Sequence, residues 1–333
     1  MAVPCVRVKR SAGELTRHRL ADAGLLAEQW DLDAEDEYVY IPVSDPTAVP
    51  EDLTVVPYDP PVRETQTMPA DVLGTEPSYE RLGDLAIIDV DEPEHEQNVA
   101  DALWKSDLPI DGVLNRASKV KGQTRTRDWD VLRGDSTRTV HREYGSVFAL
   151  DLDEVYFSPR LATERHRVIQ QVTEGEHGFD MFAGVGPFAI PMAKKGATVV
   201  GSDVNETAIE YFRDNARRNG VEDEVTGIVG DVRNLASEYE NWADRIIMNL
   251  PHSANEFLDT AVQLASDRAV LHYYDIQHES APFEPGETAI RNAAEPSYEM
   301  SVETRHEVRT YAPHEVNIVL DVELQRVDST EAE

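Results

Sequence analysis

Lysine is nearly missing from this chain: Lys9, Lys105, Lys119, Lys121, Lys194 and Lys195 are the only ones among 31 basic residues, and the other 25 are arginine. Opposite them stand 64 acidic residues, giving a formal net charge of -33 over 333 residues. That balance excludes the broad basic surface by which most nucleic-acid binders are recognised. It suits a halophilic, archaeon-like background, because molar salt shortens the screening length to roughly 3 Å and mutes self-repulsion. In such a medium counterion release contributes little, so an RNA ligand would be held by stacking, shape and hydrogen bonds, and charge does not exclude one. The acids are spread along the chain, which argues against a separate acidic recruiting domain.

Cysteine is scarcer still. Cys5, alone, excludes a disulfide framework and a multi-thiolate metal site, and the ten histidines are scattered without ligand spacing, so no metal is expected. No apolar run approaches the roughly 18 residues of a membrane span, and Met1-Ala2-Val3-Pro4 does not open a signal peptide. A cytoplasmic protein without a membrane partner is expected, and no internal repeat is visible.

What is present divides into three parts. Residues 1–65 form a small α/β domain plus a linker: 6–8 and 38–43 read as strands and 11–21 as a helix, after which prolines recur from 44 to 77 in a semi-extended or surface-packed segment. Residues 66–172 form a middle α+β domain, with a strand at 85–90, a helix at 94–106, a strand or hairpin arm at 139–152, and a helix capped by Ser158 with Pro159 in its first position. Residues 173–333 alternate strand and helix: strands at 178–182, 197–202, 225–229, 245–248 and 269–273, helices at 188–195, 207–218 and 256–265, and an antiparallel pair at 304–310 and 316–324. Strands separated by helices imply a right-handed parallel sheet.

The chemistry concentrates at the ends of these strands. Asp180-Met181-Phe182-Ala183-Gly184-Val185-Gly186-Pro187-Phe188 is a strand running through a glycine turn into a helix, where Gly184 and Gly186 let the backbone approach a ligand. Asp203 and Asp231 end the next two strands, and Asn249-Leu250-Pro251 follows the fourth. This is how a doubly wound sheet holds a nucleoside at its carboxyl edge. The glycines also fit a dinucleotide fingerprint. Asp180 and Phe182 before them, and the stiff Asn-Leu-Pro loop, favour S-adenosylmethionine, with Asp180 near its amino-acid end and Asp203 and Asp231 near ribose and adenine. His252 reads as a solvated loop residue. In Tyr156-Phe157-Ser158-Pro159-Arg160-Leu161-Ala162-Thr163-Glu164-Arg165, two readings stand side by side: an i,i+4 ion pair between Arg160 and Glu164, or Glu164 as a base in the cleft oriented by Arg160.

The block 155–165, the 180–188 turn and Asn249-Leu250-Pro251 resemble the archaeal-eukaryotic tRNA (guanine-37-N1)-methyltransferase family, and the likeness extends over essentially the whole chain. The resemblance implies a class I, Rossmann-like methyltransferase fold with a mostly parallel seven-stranded sheet and an antiparallel edge, a middle domain, and an amino-terminal domain that reads the tRNA body. It implies methyl transfer from S-adenosylmethionine to N1 of G37 in tRNA by a monomer, with Glu164 as general base and Arg127 neutralising charge on O6, Arg125 being its near alternative and Lys119 an accessory. Tyr156 and Arg160 would position the guanosine. Arg165, Asp203, Val204, Asp231, Val232, Asn249 and Pro251 match the family's cofactor contacts or flank them, with Asn249 serving both cofactor and base. Rival readings are a wyosine-pathway enzyme (aminocarboxypropyl transfer or carbon methylation at the same position), a dehydrogenase, and a catalytically silent RNA-binding module. The sister aminocarboxypropyl enzymes typically lack Asn-Leu-Pro, which favours methyl transfer.

Overall fold

Two compact units divide the chain, 1–67 and 68–333, and the computed structural model describes residues 2–327 apart from 65, 120 and 123. The first unit comprises β1 (Val3–Lys9), α1 (Gly13–Asp22), β2 (Asp33–Glu35), β3 (Tyr38–Pro42) and β4 (Thr54–Tyr58). Its four strands form one antiparallel sheet in the order β2-β3-β1-β4, closed over Val6, Leu20, Ile41 and Val43. The proline-bearing segment expected to be a linker therefore supplies a strand. Pro57 is tolerated there because β4 is an edge, where a missing N–H interrupts no second ladder.

The second unit begins with α2 (Pro69–Leu73), β5 (Glu80–Leu82), β6 (Leu85–Ile88), α3 (Pro93–Lys105), β7 (Gly112–Arg116) and β8 (Trp129–Arg133). These build a four-stranded sheet in which α3 makes the parallel crossover from β6 to β7. A hairpin follows, β9 (Arg138–Glu143) and β10 (Ser146–Asp151), turned by Tyr144 and Gly145, both at positive φ as a tight two-residue hairpin loop requires. The free edge of β10 is occupied by helical side chains. Asn215 and Asn219, one helical turn apart, exchange hydrogen bonds of 2.7–3.1 Å with the N–H and C=O groups of Ala149 and Val147. Two amides thus stand in for a strand and blunt an edge that would otherwise be open.

The remainder is α4 (Ala162–Gln170), β11 (His177–Asp180), α5 (Ala189–Lys194), β12 (Thr198–Asp203), α6 (Glu206–Asn219), β13 (Val225–Val229), α7 (Val232–Leu235), β14 (Ala243–Met248), α8 (Leu258–Leu264), β15 (Ala265–His278), α9 (Glu284–Ala294), β16 (Tyr298–Ala312) and β17 (Glu315–Arg326). Seven strands order as β13-β12-β11-β14-β15-β17-β16, the first five parallel and β17 antiparallel to both its neighbours. This is the Rossmann-like class I methyltransferase arrangement expected. Asn205 caps α6 by accepting from Ala208, and Gly220 ends it in the left-handed conformation, as the sequence indicates. Ser158 sits at the cap position but its side chain makes no capping bond, and a 3-10 turn (Pro159–Leu161) precedes α4.

Phe212 on α6 fixes the first three strands. Its buried ring lies 2.8 Å from where a Cβ would stand on Gly201 or on Gly227, and a Cβ on Gly186 would overlap it. Gly186 therefore serves helix–strand packing, a role the sequence reading of the glycine turn did not give it. Gly186→Ala adds this overlap to a φ of +89°. It is expected to lower stability by about 1–3 kcal/mol, as overpacking does, in denaturant unfolding; an unchanged midpoint would mean that Phe212 is not wedged against the turn.

Candidate active site

The parallel strands end together, and their last residues converge. Asp180 closes β11, Asp203 closes β12, Asp231 follows β13, and Asn249 follows β14. Asp180 is completely enclosed, yet its Oδ2 has no hydrogen-bond partner among the described residues. Burial, eased only by a backbone bond from Phe182 and reinforced by nearby Asp203, pushes its carboxyl up to about 7. A buried carboxylate oxygen without a partner calls for a donor, and a cation most of all. Beside it, a Cβ placed on Gly184 would meet nothing within 4 Å, so the turn is open on its ligand side. Both features fit the amino-acid end of the expected cofactor.

Asp203 accepts from the backbone N–H groups of Gly184 (2.8 Å) and Asn205 (2.9 Å), and burial raises its carboxyl above the usual range. Those bonds anchor it to the turn and leave lone pairs for hydroxyl donors. Val204 beside it is exposed. Asp231 caps α7 through the Arg233 N–H and pairs with the Arg233 side chain, which holds it below the usual carboxylate range. Val232 packs into the core, so only its backbone faces outward chemistry. Phe182 meets Phe257 edge to face at 5.0 Å, and Arg233 covers Phe257 at 4.6 Å, a wall built by the segments after β11, β13 and β14 of which the sequence reading named only Phe182. The Asn249 side chain makes no hydrogen bond to a described residue. Its loop is stapled to β15 by the Pro251 carbonyl accepting from Ile276 at 3.2 Å. His252 pairs with the Tyr311 hydroxyl at 3.0 Å.

Glu164 is buried, and neither sequence reading of its partner holds. Arg160 lies in the 3-10 turn ahead of α4, so the four-residue helical spacing is not met, and its guanidinium bonds Glu80 at 3.1 Å. Glu164 is bound instead by Arg167, Nε to Oε2 at 2.8 Å and Nη2 to Oε1 at 2.9 Å, and by the Tyr274 hydroxyl at 2.8 Å. Burial and the adjacent Glu164 hold the Tyr274 phenol far above its ordinary value, so it stays a donor. With Oε1 accepting twice and Oε2 once, one lone-pair position on Oε2 is open. Met248 pairs with Tyr273, so Tyr274 and Glu164 stand level with Asn249, at the same sheet end as Asp180.

Arg165 is placed elsewhere. Neighbouring helical residues point about 100° apart, so with Glu164 facing β15 and β17, Arg165 faces the hairpin. Glu143 takes it at 2.6 Å twice, the Ser158 carbonyl accepts from it at 3.1 Å, and Phe157 lies under it at 4.9 Å. It lines a cavity of about 180 Å³ with Lys194 and Lys195, at the end of α5 remote from the glycine turn. The sequence reading gave it a cofactor contact; here the Glu143 carboxylate holds it.

The remaining candidates form an arginine–aromatic cluster. Arg125, in a left-handed turn with φ 54° and not on a strand, lies over Tyr156 at 5.1 Å, while Arg127 covers Trp129 at 5.4 Å. The two diverge instead of sharing a face. Burial first, then Arg116, lowers the affinity of Arg127 for its proton. Glu80 holds Arg116 (2.6 Å) and Arg160 together, and Lys119 is exposed. No hydrogen bond, ion pair or ring contact joins Arg127 or Arg160 to Glu164 among the described residues. There, too, no cluster of three or more His, Cys, Asp or Glu is arranged to hold a metal, and no helix is long and apolar enough to cross a membrane.

Three family models match the chain: the tRNA methyltransferase 5 N-terminal domain over 5–51, the TYW2 N-terminal domain over 65–137, and the TRM5/TYW2 methyltransferase domain over 139–303. The tRNA (guanine(37)-N(1))-methyltransferase Trm5b of Pyrococcus abyssi is 38% identical, over 95% of this chain and 97% of that one. The chain belongs to the TRM5/TYW2 methyltransferase family. The crystal structure of the same Pyrococcus protein superposes with a TM-score of 0.73 at 36% identity, covering 97% of this chain and 99% of that one. The aTrm5 chain in a complex with tRNALeu gives a TM-score of 0.75 at 29% identity, over 96% and 99% of the two chains. Within this TRM5/TYW2 family, the tRNA(Phe) (4-demethylwyosine(37)-C(7)) aminocarboxypropyltransferase of Methanocaldococcus jannaschii is 31% identical over 75% of this chain and 98% of its own.

Asp180→Asn tests the orphan oxygen. A carboxyl raised to about 7 from 3.8 binds more protons in the folded state, so stability present below pH 3.8 is lost as pH rises through 7, by at most about 4 kcal/mol. Asp180→Asn should flatten that slope in denaturant melts at pH 5 and 8 while weakening S-adenosylmethionine binding in calorimetry. A parent-like slope in the variant would show that Asp180 is not the group responsible.

Proposed function

We propose that this chain transfers the methyl group of S-adenosylmethionine to N1 of guanosine 37 of a tRNA, with Glu164 as the general base. The observation that carries this reading is the buried Glu164, gripped by Tyr274 and Arg167 with one position on Oε2 open, at the sheet end that also holds the orphan Asp180 oxygen. Family membership supports it, as do the name of the Pyrococcus relative, matched over nearly the whole chain, and the likeness to aTrm5 in its complex with tRNALeu.

N1 of guanine carries a proton and is a poor nucleophile until that proton leaves, so a positioned base is required. Bound S-adenosylmethionine supplies an electrophilic methyl on its sulfonium. Asp180 would hold the ammonium of its amino-acid end, Asp203 would accept from the ribose hydroxyls, and Gly184 would leave room for it. Val204, the Asp231–Val232 turn, Phe182 and Phe257 would border its base. Asn249, in a loop stiffened by Pro251, offers its amide to the guanine edge. Glu164 Oε2 would take the N1 proton while N1 accepts the methyl, the S–CH₃ bond breaking with its electron pair returning to sulfur so that S-adenosylhomocysteine leaves. Arg127 neutralises charge growing on O6, the general service of a preorganised cation, and Tyr156 with Arg160 positions the nucleoside. Residues 1–67 read the tRNA body, and the enzyme works as a monomer in a high-salt cytoplasm.

Glu164→Ala should leave cofactor binding intact and slow single-turnover methyl transfer to G37 transcripts by roughly 10²-fold or more. A loss under about threefold would return Glu164 to a purely structural role. The mass of the modified nucleoside separates methyl from aminocarboxypropyl transfer.

Removal of residues 1–67 should leave a folded remainder that binds cofactor, since that segment is a compact unit of its own. Affinity should fall for full-length tRNA and far less for an isolated anticodon stem-loop, because a second tethered contact adds only when the substrate spans both sites. Equal loss on both RNAs, or an insoluble remainder, would overturn this division of labour.

A further inference from the structure

Arg167 does not belong to Glu164 alone. Its Nη1 and Nη2 also reach Asp321 on β17, at 2.5 and 3.0 Å. Asp321 in turn accepts from Gln171 at 3.0 Å and meets His272 Nδ1 at 2.6 Å. On its far side His272 Nε2 faces Arg245 Nη1 at 2.8 Å. A guanidinium only donates, so His272 Nε2 accepts and the single ring proton sits on Nδ1, toward Asp321. His272 is thereby fixed as neutral; its burial acts in the same direction. Arg245 gives its charge to Glu176, at 2.7 and 3.0 Å.

We propose that Asp321 sets the proton affinity of Glu164 by sharing the charge of Arg167, as a positioning residue acting through that arginine. This rests on the reading of Glu164 as the base. The cluster holds three carboxylates (Glu164, Asp321, Glu176) and two guanidiniums (Arg167, Arg245), a net charge of one negative. A proton arriving on Glu164 brings it to neutrality. Were Asp321 uncharged, the same proton would leave an unbalanced buried positive charge, and Glu164 would be the poorer acceptor. Burial opposes ionisation of Asp321, but the bonds from His272 and Arg167 outweigh it and hold its carboxyl well below the usual range, so its charge persists wherever the enzyme works. The other groups facing Glu164 are Tyr274 on β15, a neutral donor, and His306 on β16, half-exposed with Nε2 3.8 Å from Oε2. From its own helix only Arg167 faces it.

The test is the pH dependence of single-turnover methyl transfer at one fixed salt concentration, for the parent and five variants. In Asp321→Asn the acidic limb should move down by about one pH unit, the lower end of what one arginine does to a carboxylate, and the plateau should slow about three- to tenfold as the base weakens. Asp321→Ser, which spares Gln171 an opposing amide, should move the limb the same way and keeps the test alive if the first variant fails to fold. Arg167→Gln should move the limb to higher pH. His306→Gln should leave it in place, which excludes that histidine as its source. A merely structural role for Asp321 would lower the melting temperature without shifting the limb. An unmoved limb in both Asp321 variants, or a shift of one sign in the Asp321 and Arg167 variants alike, overturns the proposal. Glu164→Gln separates the failures: if it transfers methyl like the parent, the base assignment fails, whereas an inactive Glu164→Gln with an unmoved Asp321 limb defeats this inference alone.

Discussion

Arg167, clamped between Glu164 and Asp321, is the interaction on which the geometry of the site depends. It ties α4 to the face of the large sheet at β15 and β17, and so decides that Glu164 looks toward the strand ends while Arg165 looks toward the hairpin. Burying ions is unfavourable in itself; such a pair against apolar residues of equal volume is often no gain, but removing one partner leaves a naked charge and costs about 3–5 kcal/mol. A helix seated by such a clamp has one rotation available to it. A purely apolar seat would tolerate several.

The same preference for contact over distance runs through the rest of the molecule. The interior ion pairs are made by arginine: Arg165 with Glu143, Arg167 with two acids, Arg245 with Glu176. Arginine offers a planar fork that meets a carboxylate bidentately, where lysine offers a hydrated point charge. When salt shortens screening to roughly 3 Å, only pairs in contact keep their strength. The cluster of Arg125, Arg127, Tyr156 and Trp129 belongs to the same logic, because stacking and guanidinium–ring contacts survive salt that would release a lysine-rich surface from RNA.

Much of this was legible in the chain. The glycine turn, the acids at successive strand ends, the capping Asn205 and the terminating Gly220 are local signals, each dictated within a few residues, and each stands where the sequence put it. What was not legible is what depends on rotation about a helix or on long-range register. The 3-10 turn at Pro159 broke the spacing that joined Arg160 to Glu164, although Arg167 at i+3 offered an alternative within the same helix. Tyr274, Asp321 and His272 lie more than a hundred residues from Glu164; Tyr274 meets it, and the other two reach it only through Arg167, because β15 and β17 pair in one register. The strand at 54–58 was hidden by Pro57, whose presence argues against a central strand but not against an edge one. The packing of Phe212 against Gly186 could be known only from the helix above the turn.

The site contains two buried carboxylates in different surroundings, one with partners on both oxygens and one with an orphan oxygen. Glu164 has three hydrogen bonds, so its charge is already compensated and no ligand is needed to hold it. Asp180 has an oxygen with no donor and a proton affinity raised by its enclosure, so in the free protein near neutrality it is divided between acid and carboxylate. A cation placed against that oxygen supplies the missing donor and draws the group wholly to its charged form. A cation bound there would therefore relieve a strain that the fold carries, whereas Glu164 already has its partners. With Glu164 as the proposed base, the cofactor would complete its own half of the site, and the half facing guanine would already have its hydrogen bonds before any RNA arrives.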